Sequence, residues 1–362
     1  MARAQARSKS SKLTSSVART ARAGVPDPSS TPGAHRAAIP DLINVELAVL
    51  EKAAPAGGIF LHEIKFDGYR MLARVQNERC RLITRRNQDW TARFPEIASS
   101  FPELAVGEAV FDGEIVKLNG EGISSFSALQ EALSNGQTAD LVYVAFDLLF
   151  LNGFDLRKVA LEERKRILAD ILGSAPPTIR KSEHRIGGGE AFFAQACKLK
   201  LEGIISKRRS STYSGTRSSD WLKVKCVNTE EFVIVGYTEP QRSRTGFGAL
   251  LVGYYTPNGE IRYAGKVGTG YSREFLEGFK RRLQAIQTET PTAVLPKGTY
   301  MRARVHWVRP RYLAQVTFTE WTRDNILRHP SFLGLREDKD PREVVVDRPP
   351  APLPPKKGAR PS

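Results

Sequence analysis

Lys65 stands in the stretch Glu63-Ile64-Lys65-Phe66-Asp67-Gly68-Tyr69-Arg70, at the end of a short apolar run and directly before an Asp-Gly turn. Taken alone, a lysine in such a turn is most often an ordinary surface residue. Its other use is as a nucleophile, which requires the free amine. A reference pKa near 10.4 leaves about one lysine in a thousand neutral at pH 7.5, and lowering it by ~2 units is worth ~2.7 kcal/mol. Nearby cations do this, because like charge disfavours the ammonium form; Lys223, Lys225, Arg70 and a metal ion are the candidates. Lys223 and Lys225 are two apart on a strand pattern and project to one face, so one pocket can receive both, although Lys-x-Lys also describes a solvated face.

Four further stretches follow Lys65 in order: Val110-Phe111-Asp112-Gly113-Glu114, Phe146-Asp147, Glu202-Gly203-Ile204-Ile205-Ser206-Lys207 and Trp221-Leu222-Lys223-Val224-Lys225. Each is weak singly; Phe146, inside an apolar run, is explained by core packing alone. As an ordered set with these spacings they resemble motifs I, III, IIIa, IV and V of the covalent nucleotidyltransferases, the polynucleotide ligases and messenger-RNA capping enzymes. Within that superfamily the chain resembles an ATP-dependent DNA ligase, in particular the ligase domain of bacterial ligase D. The segment Thr84 to Thr91 is similar to that family's motif Ia loop, with Arg86-Asn87 in place of Asn-Gly. Gly265 to Gly270 and Phe318 to Pro330 resemble its second domain, with Asn325 where a glycine is usual, and Leu335-Arg336-Glu337-Asp338-Lys339 matches motif VI.

The resemblance implies a role for each matched residue. Lys65 would attack the α-phosphate of ATP, forming lysyl-AMP and releasing pyrophosphate. Glu63 would contact the adenine amino group, Phe146 would stack on the base, Arg70 would bind ATP, and Arg85 and Glu114 would bind the nucleotide around its ribose. Lys223 and Lys225 would hold the α-phosphate, and Arg336 and Lys339 the β- and γ-phosphates once the second domain closes. Glu114 and Glu202 would face magnesium or manganese, a hard cation that takes oxygen ligands and bridges phosphates. Arg85 and Arg217 would touch DNA. The product is a DNA ligase (ATP) that seals 5′-phosphate/3′-hydroxyl breaks, serving repair by non-homologous end joining with a Ku-type end-binding partner. The alternatives are an RNA ligase or another nucleotidyltransferase, and a non-catalytic DNA-binding protein of this fold.

The rest of the chain must position these groups. At 362 residues and 41% hydrophobic content it can build two cores. Strands at 59–65, 69–75, 81–84, 109–118 and 141–151, and helices at 161–172 and 189–200, alternate irregularly around a mixed sheet. After a boundary near residues 227–231, short strands, an Asn258-Gly259 hairpin and a helix over 273–285 are compatible with an OB-fold. The expected class is α+β: a nucleotidyltransferase (ATP-grasp-like ligase) domain with mixed and antiparallel sheets over 39–229, then an OB-fold β-barrel domain over 230–347.

Flanking these, residues 1–38 read as a disordered basic arm and 348–362 as a disordered Pro-rich tail. They carry +6 and +4 of the net +16, which favours a polyanionic partner. No apolar run approaches the ~18 residues of a membrane span. Cys80, Cys197 and Cys226 lie far apart without a CxxC pair, so no disulfide framework or zinc site is indicated. A monomer in the bacterial cytoplasm, associated with the nucleoid, is the expected setting.

Overall fold

The computed structural model describes residues 25–240, 245–296, 304–322 and 324–344. Two sheets and their helices form the N-terminal part. In the seven-stranded sheet the strands run His35–Arg36, Phe154–Asp155, Leu141–Leu151, Glu108–Lys117, Tyr69–Gln76 and Arg79–Thr84, with Ile179–Lys181 pairing Leu141–Leu151 in parallel. Successive side chains of a strand face opposite ways. Met71, Ala73 and Val75 therefore enter the core beneath the helices, whereas Leu72 joins Val110, Leu149, Phe150 and Trp221 in a second core between the sheets. Burial on both faces is why Leu141–Leu151 is almost uninterruptedly apolar.

The five-stranded sheet runs His184–Ile186, Phe60–Ile64, Gly203–Arg208, Arg217–Lys225 and Leu47–Leu50. It is antiparallel except for its last pair. The helices start where the local chemistry allows. Ser125 caps Phe126–Ser134 by accepting from the Ala128 amide, and Ser272 caps Arg273–Gln284 through the Phe275 amide.

Asn228–Thr238 opens the C-terminal part, which is of OB-fold type. Its first half pairs with Leu313–Phe318, its last residues with Val305–Val308, and its other edge with Leu250–Tyr255. A register shift between Ile234 and Gly236 bends it where it changes partners. Leu276, Phe279 and Leu283 of the Arg273–Gln284 helix close the core.

Three expectations need correction. Residues 1–24 and 345–362 lie outside the described residues, but 25–38 are folded rather than an arm. There Asp27 caps a 3-10 turn at Pro28–Ser30, Val25 and Ala34 pack on the first core, and His35–Arg36 pairs with Phe154–Asp155. Second, Cys197 and Cys226 form a disulfide, their Cα atoms 5.1 Å apart. The helix Gly189–Lys198 packs on the five-stranded sheet and brings Cys197 to the end of Arg217–Lys225, so 29 residues of sequence separation say nothing about distance. Cys80 is free and buried. Third, the strand that opens the second part begins at Asn228, ahead of the residue 230 at which that domain was expected to start.

Two departures from the family pattern turn out to be locally satisfied. Asn87 and Asn325, each where a glycine is usual, adopt φ of 58° and 60°. Asparagine enters the left-handed region more readily than other non-glycine residues. The Asn87 amide donates to Thr84 O and the Asn325 amide to Thr322 O, so both turns close.

Candidate active site

The two sheets and the OB-fold-type part meet around one cleft, a cavity of about 310 Å³ lined by every site residue picked out in the sequence. Strand register explains the first group. Glu63, Ile205 and Lys223 are consecutive cross-strand partners on the five-stranded sheet. Two residues along, Gly203 pairs with Lys225, and its carbonyl accepts the Lys65 amide. Lys65 and Lys225 thus flank a residue without a side chain. A Cβ on Gly203, whose φ is +154°, would lie 2.1 Å from Val224 O. The seven-stranded sheet supplies Arg70, Glu114 and Phe146, with Arg85 just past Arg79–Thr84; Arg70 and Glu114 are direct partners. Arg217 begins the strand that carries Lys223 and Lys225. Arg336 and Lys339 come from the far end of the chain.

Lys65 Nζ donates to Glu202 Oε2 at 2.5 Å. Burial opposes its charge, but Glu202, Asp67 and Glu114 outweigh burial and raise the amine above its ordinary value. The expected lowering by neighbouring cations is therefore not what the structure shows, because those cations are engaged elsewhere. Arg70 forms a two-point pair with Asp112 at 2.9 and 2.6 Å and donates to Glu46 O. Lys225 Nζ donates to Thr229 O. The acids respond to the same enclosure: burial, then Glu202, pushes Asp67 up to about 6, and burial pushes Glu114 up to about 7.

Among the described residues no group of three or more His, Cys, Asp or Glu is arranged to hold a metal ion. Magnesium asks for less, since it keeps waters and uses one or two carboxylates alongside substrate phosphates. Glu114 and Glu202, oxygen donors in one cleft with Asp67 beside them, fit that demand.

Glu63 is 2% exposed and accepts from Lys165 at 2.5 Å, Lys207 at 2.9 Å and Ser182 Oγ at 3.1 Å. Burial raises it, and the two ammonium groups more than reverse that, leaving it below its ordinary value. Lys207 lies 4.4 Å from the Phe146 ring centre and 4.0 Å from that of Trp221, and burial brings it down to about 8.

From the second part, Arg336 holds Asp338 at two points and donates to Gly68 O at 2.9 Å and Gln315 Oε1 at 3.0 Å. It sits over Tyr69 and Phe126. Gln315 in turn donates to Asp67 at 2.8 Å. Lys339 pairs with Glu231, which its three cationic neighbours, Lys339, Arg336 and Lys225, acting against burial, bring down to about 2. The second part is thus closed over the Asp67-Gly68 turn. That turn is tight, since a Cβ on Gly68 would lie 2.1 Å from Ile115 O.

Sequence reasoning missed Asp67, Lys165, Lys207, Glu231 and Gln315 as site residues, and the partners Asp112 and Asp338. Four of these, Asp67, Asp112, Lys207 and Asp338, lie inside the stretches that carry the resemblance. Lys165 had its own signal, a charge on the inner stripe of its helix with Leu161 and Leu168. For Glu231 and Gln315 only the fold makes the connection.

Comparison with known proteins agrees with this geometry. The family model of the ATP dependent DNA ligase domain matches residues 46–225, and that of the ATP dependent DNA ligase C terminal region matches 243–339. The multifunctional non-homologous end joining protein LigD of Pseudomonas aeruginosa is 43% identical over 326 residues, covering 89% of this chain and 38% of that protein. The corresponding DNA repair protein LigD of Mycobacterium tuberculosis is 36% identical over 285 residues, covering 78% and 37%. The chain thus spans under two fifths of the length of these relatives. A mycobacterial DNA ligase D, solved as a complex with ATP and MES, is 34% identical with a TM-score of 0.65, covering 84% of this chain and 98% of that one. A matched core in two parts, with its lysine, carboxylates and closing arginine in one cleft, places the chain in the family of ATP-dependent DNA ligases.

Proposed function

We propose that the chain joins 5′-phosphate and 3′-hydroxyl ends of DNA through a lysyl-AMP intermediate. The observation that supports this most is that one cleft is lined by Lys65, by Glu114 and Glu202, by Lys223 and Lys225, and by Arg336 and Lys339. In the first step the Lys65 amine attacks the α-phosphorus of ATP, a P–N bond forms and pyrophosphate leaves. Lys223 and Lys225 stabilise charge on the α-phosphate, and Arg336 and Lys339 orient the leaving pyrophosphate.

Before attack the Lys65 ammonium must lose a proton, which the hydrogen-bonded Glu202 carboxylate can accept and pass to water. Glu114 and Glu202 would hold a magnesium or manganese ion, which supplies charge neutralisation at the phosphates when bound. AMP then passes to a DNA 5′-phosphate, and a 3′-hydroxyl attacks and expels it; both are problems of positioning and charge. For these steps the second part must leave the cleft, which suits Arg85 and Arg217 to meet the DNA backbone.

The relatives' names support a setting in non-homologous end joining; a Ku-type partner, a monomeric state and a place at the nucleoid in the bacterial cytoplasm are our proposal beyond those names. Among the described residues no helix is long and apolar enough to cross a membrane.

The test is to incubate the protein with α-labelled ATP and magnesium, with Lys65→Ala alongside, and chase with nicked DNA and nicked RNA. Label on the wild type alone, passed to nicked DNA, is the expected result. Transfer to RNA alone would make it an RNA ligase. No covalent label despite salt-sensitive DNA binding would leave a binding module.

A further inference from the structure

One buried lysine touches both groups assigned to the base and belongs to no motif. Lys165 lies on the helix Leu161–Leu172, on the inner stripe with Leu161, Arg164 and Leu168. Burying an ammonium is expensive unless it is fully paired. Arg164, beside it, is neutralised by Asp147 through two hydrogen bonds of 2.7 and 2.9 Å. Lys165 Nζ uses its three protons on Glu63 Oε1 at 2.5 Å, Ser182 O at 3.2 Å and Phe146 O at 3.4 Å. It therefore ties the five-stranded sheet, which carries Glu63, to the seven-stranded sheet, which carries Phe146.

The consequence concerns what Glu63 can recognise. Its Oε2 accepts from Lys207 and Ser182 and its Oε1 from Lys165, so each side chain hydrogen-bonded to the carboxylate is a donor. A carboxylate so placed is an acceptor only, and it meets a nucleobase amino group well. A carbonyl oxygen at the same point would set two acceptors against each other, and a site built around a buried hydrogen-bonding group rejects the mismatched analogue strongly.

We propose that Lys165 is a positioning residue that sets base choice: by tying Glu63 to the Phe146 backbone, it makes the cleft prefer a 6-aminopurine nucleotide to a 6-oxopurine one. This rests on reading the cleft as the nucleotide site. Lys165 touches no reacting atom. Without its ammonium, the buried Glu63 is freer to take a proton or to turn, and a protonated carboxyl can donate to a 6-oxo group.

The experiment measures covalent lysyl-nucleotide formation with ATP and with inosine triphosphate, whose base carries the 6-oxo group without guanine's additional amine. Wild type, Lys165→Met, Lys165→Gln and Lys165→Arg are compared, with thermal melting of each. The wild type is expected to favour ATP by a hundredfold or more in kcat/KM. Lys165→Met and Lys165→Gln should narrow that ratio at least tenfold, mainly by raising KM for ATP, with kcat within about threefold, and Lys165→Arg should restore most of it. Folded Met and Gln variants that keep the wild-type ratio would overturn the proposal, even with lowered melting temperatures. So would a wild type that prefers ATP by less than tenfold, a result that needs no variant. A wild type labelled by neither nucleotide would instead overturn the nucleotidyltransferase reading and this inference with it.

Discussion

Replacing Arg336 by alanine should separate the two halves of the reaction. Its guanidinium makes two kinds of contact: with Asp338 and Gln315 of its own part, and across the cleft with Gly68 O and the Tyr69 and Phe126 rings. Only the second kind depends on closure. A hydrogen bond from a charged donor is worth roughly 1.5–3 kcal/mol, and each partly buried cation–ring contact about 0.5–1 kcal/mol. The closed state therefore loses about 3 kcal/mol relative to the open one, or roughly a hundredfold in population at about 1.4 kcal/mol per decade. Where the first step needs the closed state, single-turnover lysyl-AMP formation should slow by about that factor. Sealing of a pre-adenylated nick, which needs the cleft open to DNA, should fall by less than about threefold. Rapid-quench measurement of α-label incorporation gives the first rate and gel analysis of a synthetic DNA-adenylate the second. Equal losses in both would refute a role confined to closure. So would unchanged lysyl-AMP formation.

Other outcomes follow from the same geometry. Lys65→Ala should abolish adenylation while DNA binding survives, and residual lysyl-AMP by mass spectrometry would move the nucleophile elsewhere. Asp67 and Glu114 hold their protons more tightly folded than unfolded, so each erodes stability as pH rises from about 4 through its folded value of about 6 or about 7. Glu114→Gln should therefore gain stability over wild type as pH goes from 5 to 8, by an amount on the order of 3 kcal/mol at most; a pH-independent difference in urea midpoint would contradict the burial. Magnesium without nucleotide should raise the wild-type melting temperature more at pH 8 than at pH 5, and Glu202→Gln should remove most of that rise. Deleting residues 1–24, which carry six Lys/Arg and no acid, should flatten the salt dependence of DNA binding without changing lysyl-AMP formation. Extending the deletion to residue 38 should also cost stability, because it strips Pro28 and the His35–Arg36 strand; indistinguishable melting of the two truncations would contradict that.

What could be read from the sequence was local chemistry in a fixed order. Lys65, Glu114, Glu202 and the Lys223–Lys225 pair sit inside short motifs whose spacing survives without knowledge of the sheets. The long apolar run at Leu141–Leu151 likewise announced a strand, which the fold buries on both faces. What could not be read was which partner each charge would choose. Arg70 looked available to act on Lys65, but Asp112, diagonal to it on the neighbouring strand, captures it. Lys65 itself faces Glu202, 137 residues away. The disulfide escaped for the same reason: cysteine pairing depends on how a helix lies on a sheet, and the sequence offers only separations. The folded state of residues 25–38 was hidden by a composition of Pro, Ser and Gly, yet two of those residue types make the turn that docks it.

The junction between the two parts has a mechanical consequence. Lys225 is the last residue of one sheet and Asn228 the first of the next. Asn228 is already in register with Phe318, and Cys226 is fastened sideways to the helix through Cys197. Between these two registers lie only Cys226 and Val227, so the opening proposed above would turn on the backbone torsions of two residues, with the second part as a rigid paddle. A joint that short swings through an arc with little lateral play. The same arc that lifts Arg336 from the Asp67-Gly68 turn would return it to the same carbonyl, which lets one short peptide set the geometry of closure in every cycle.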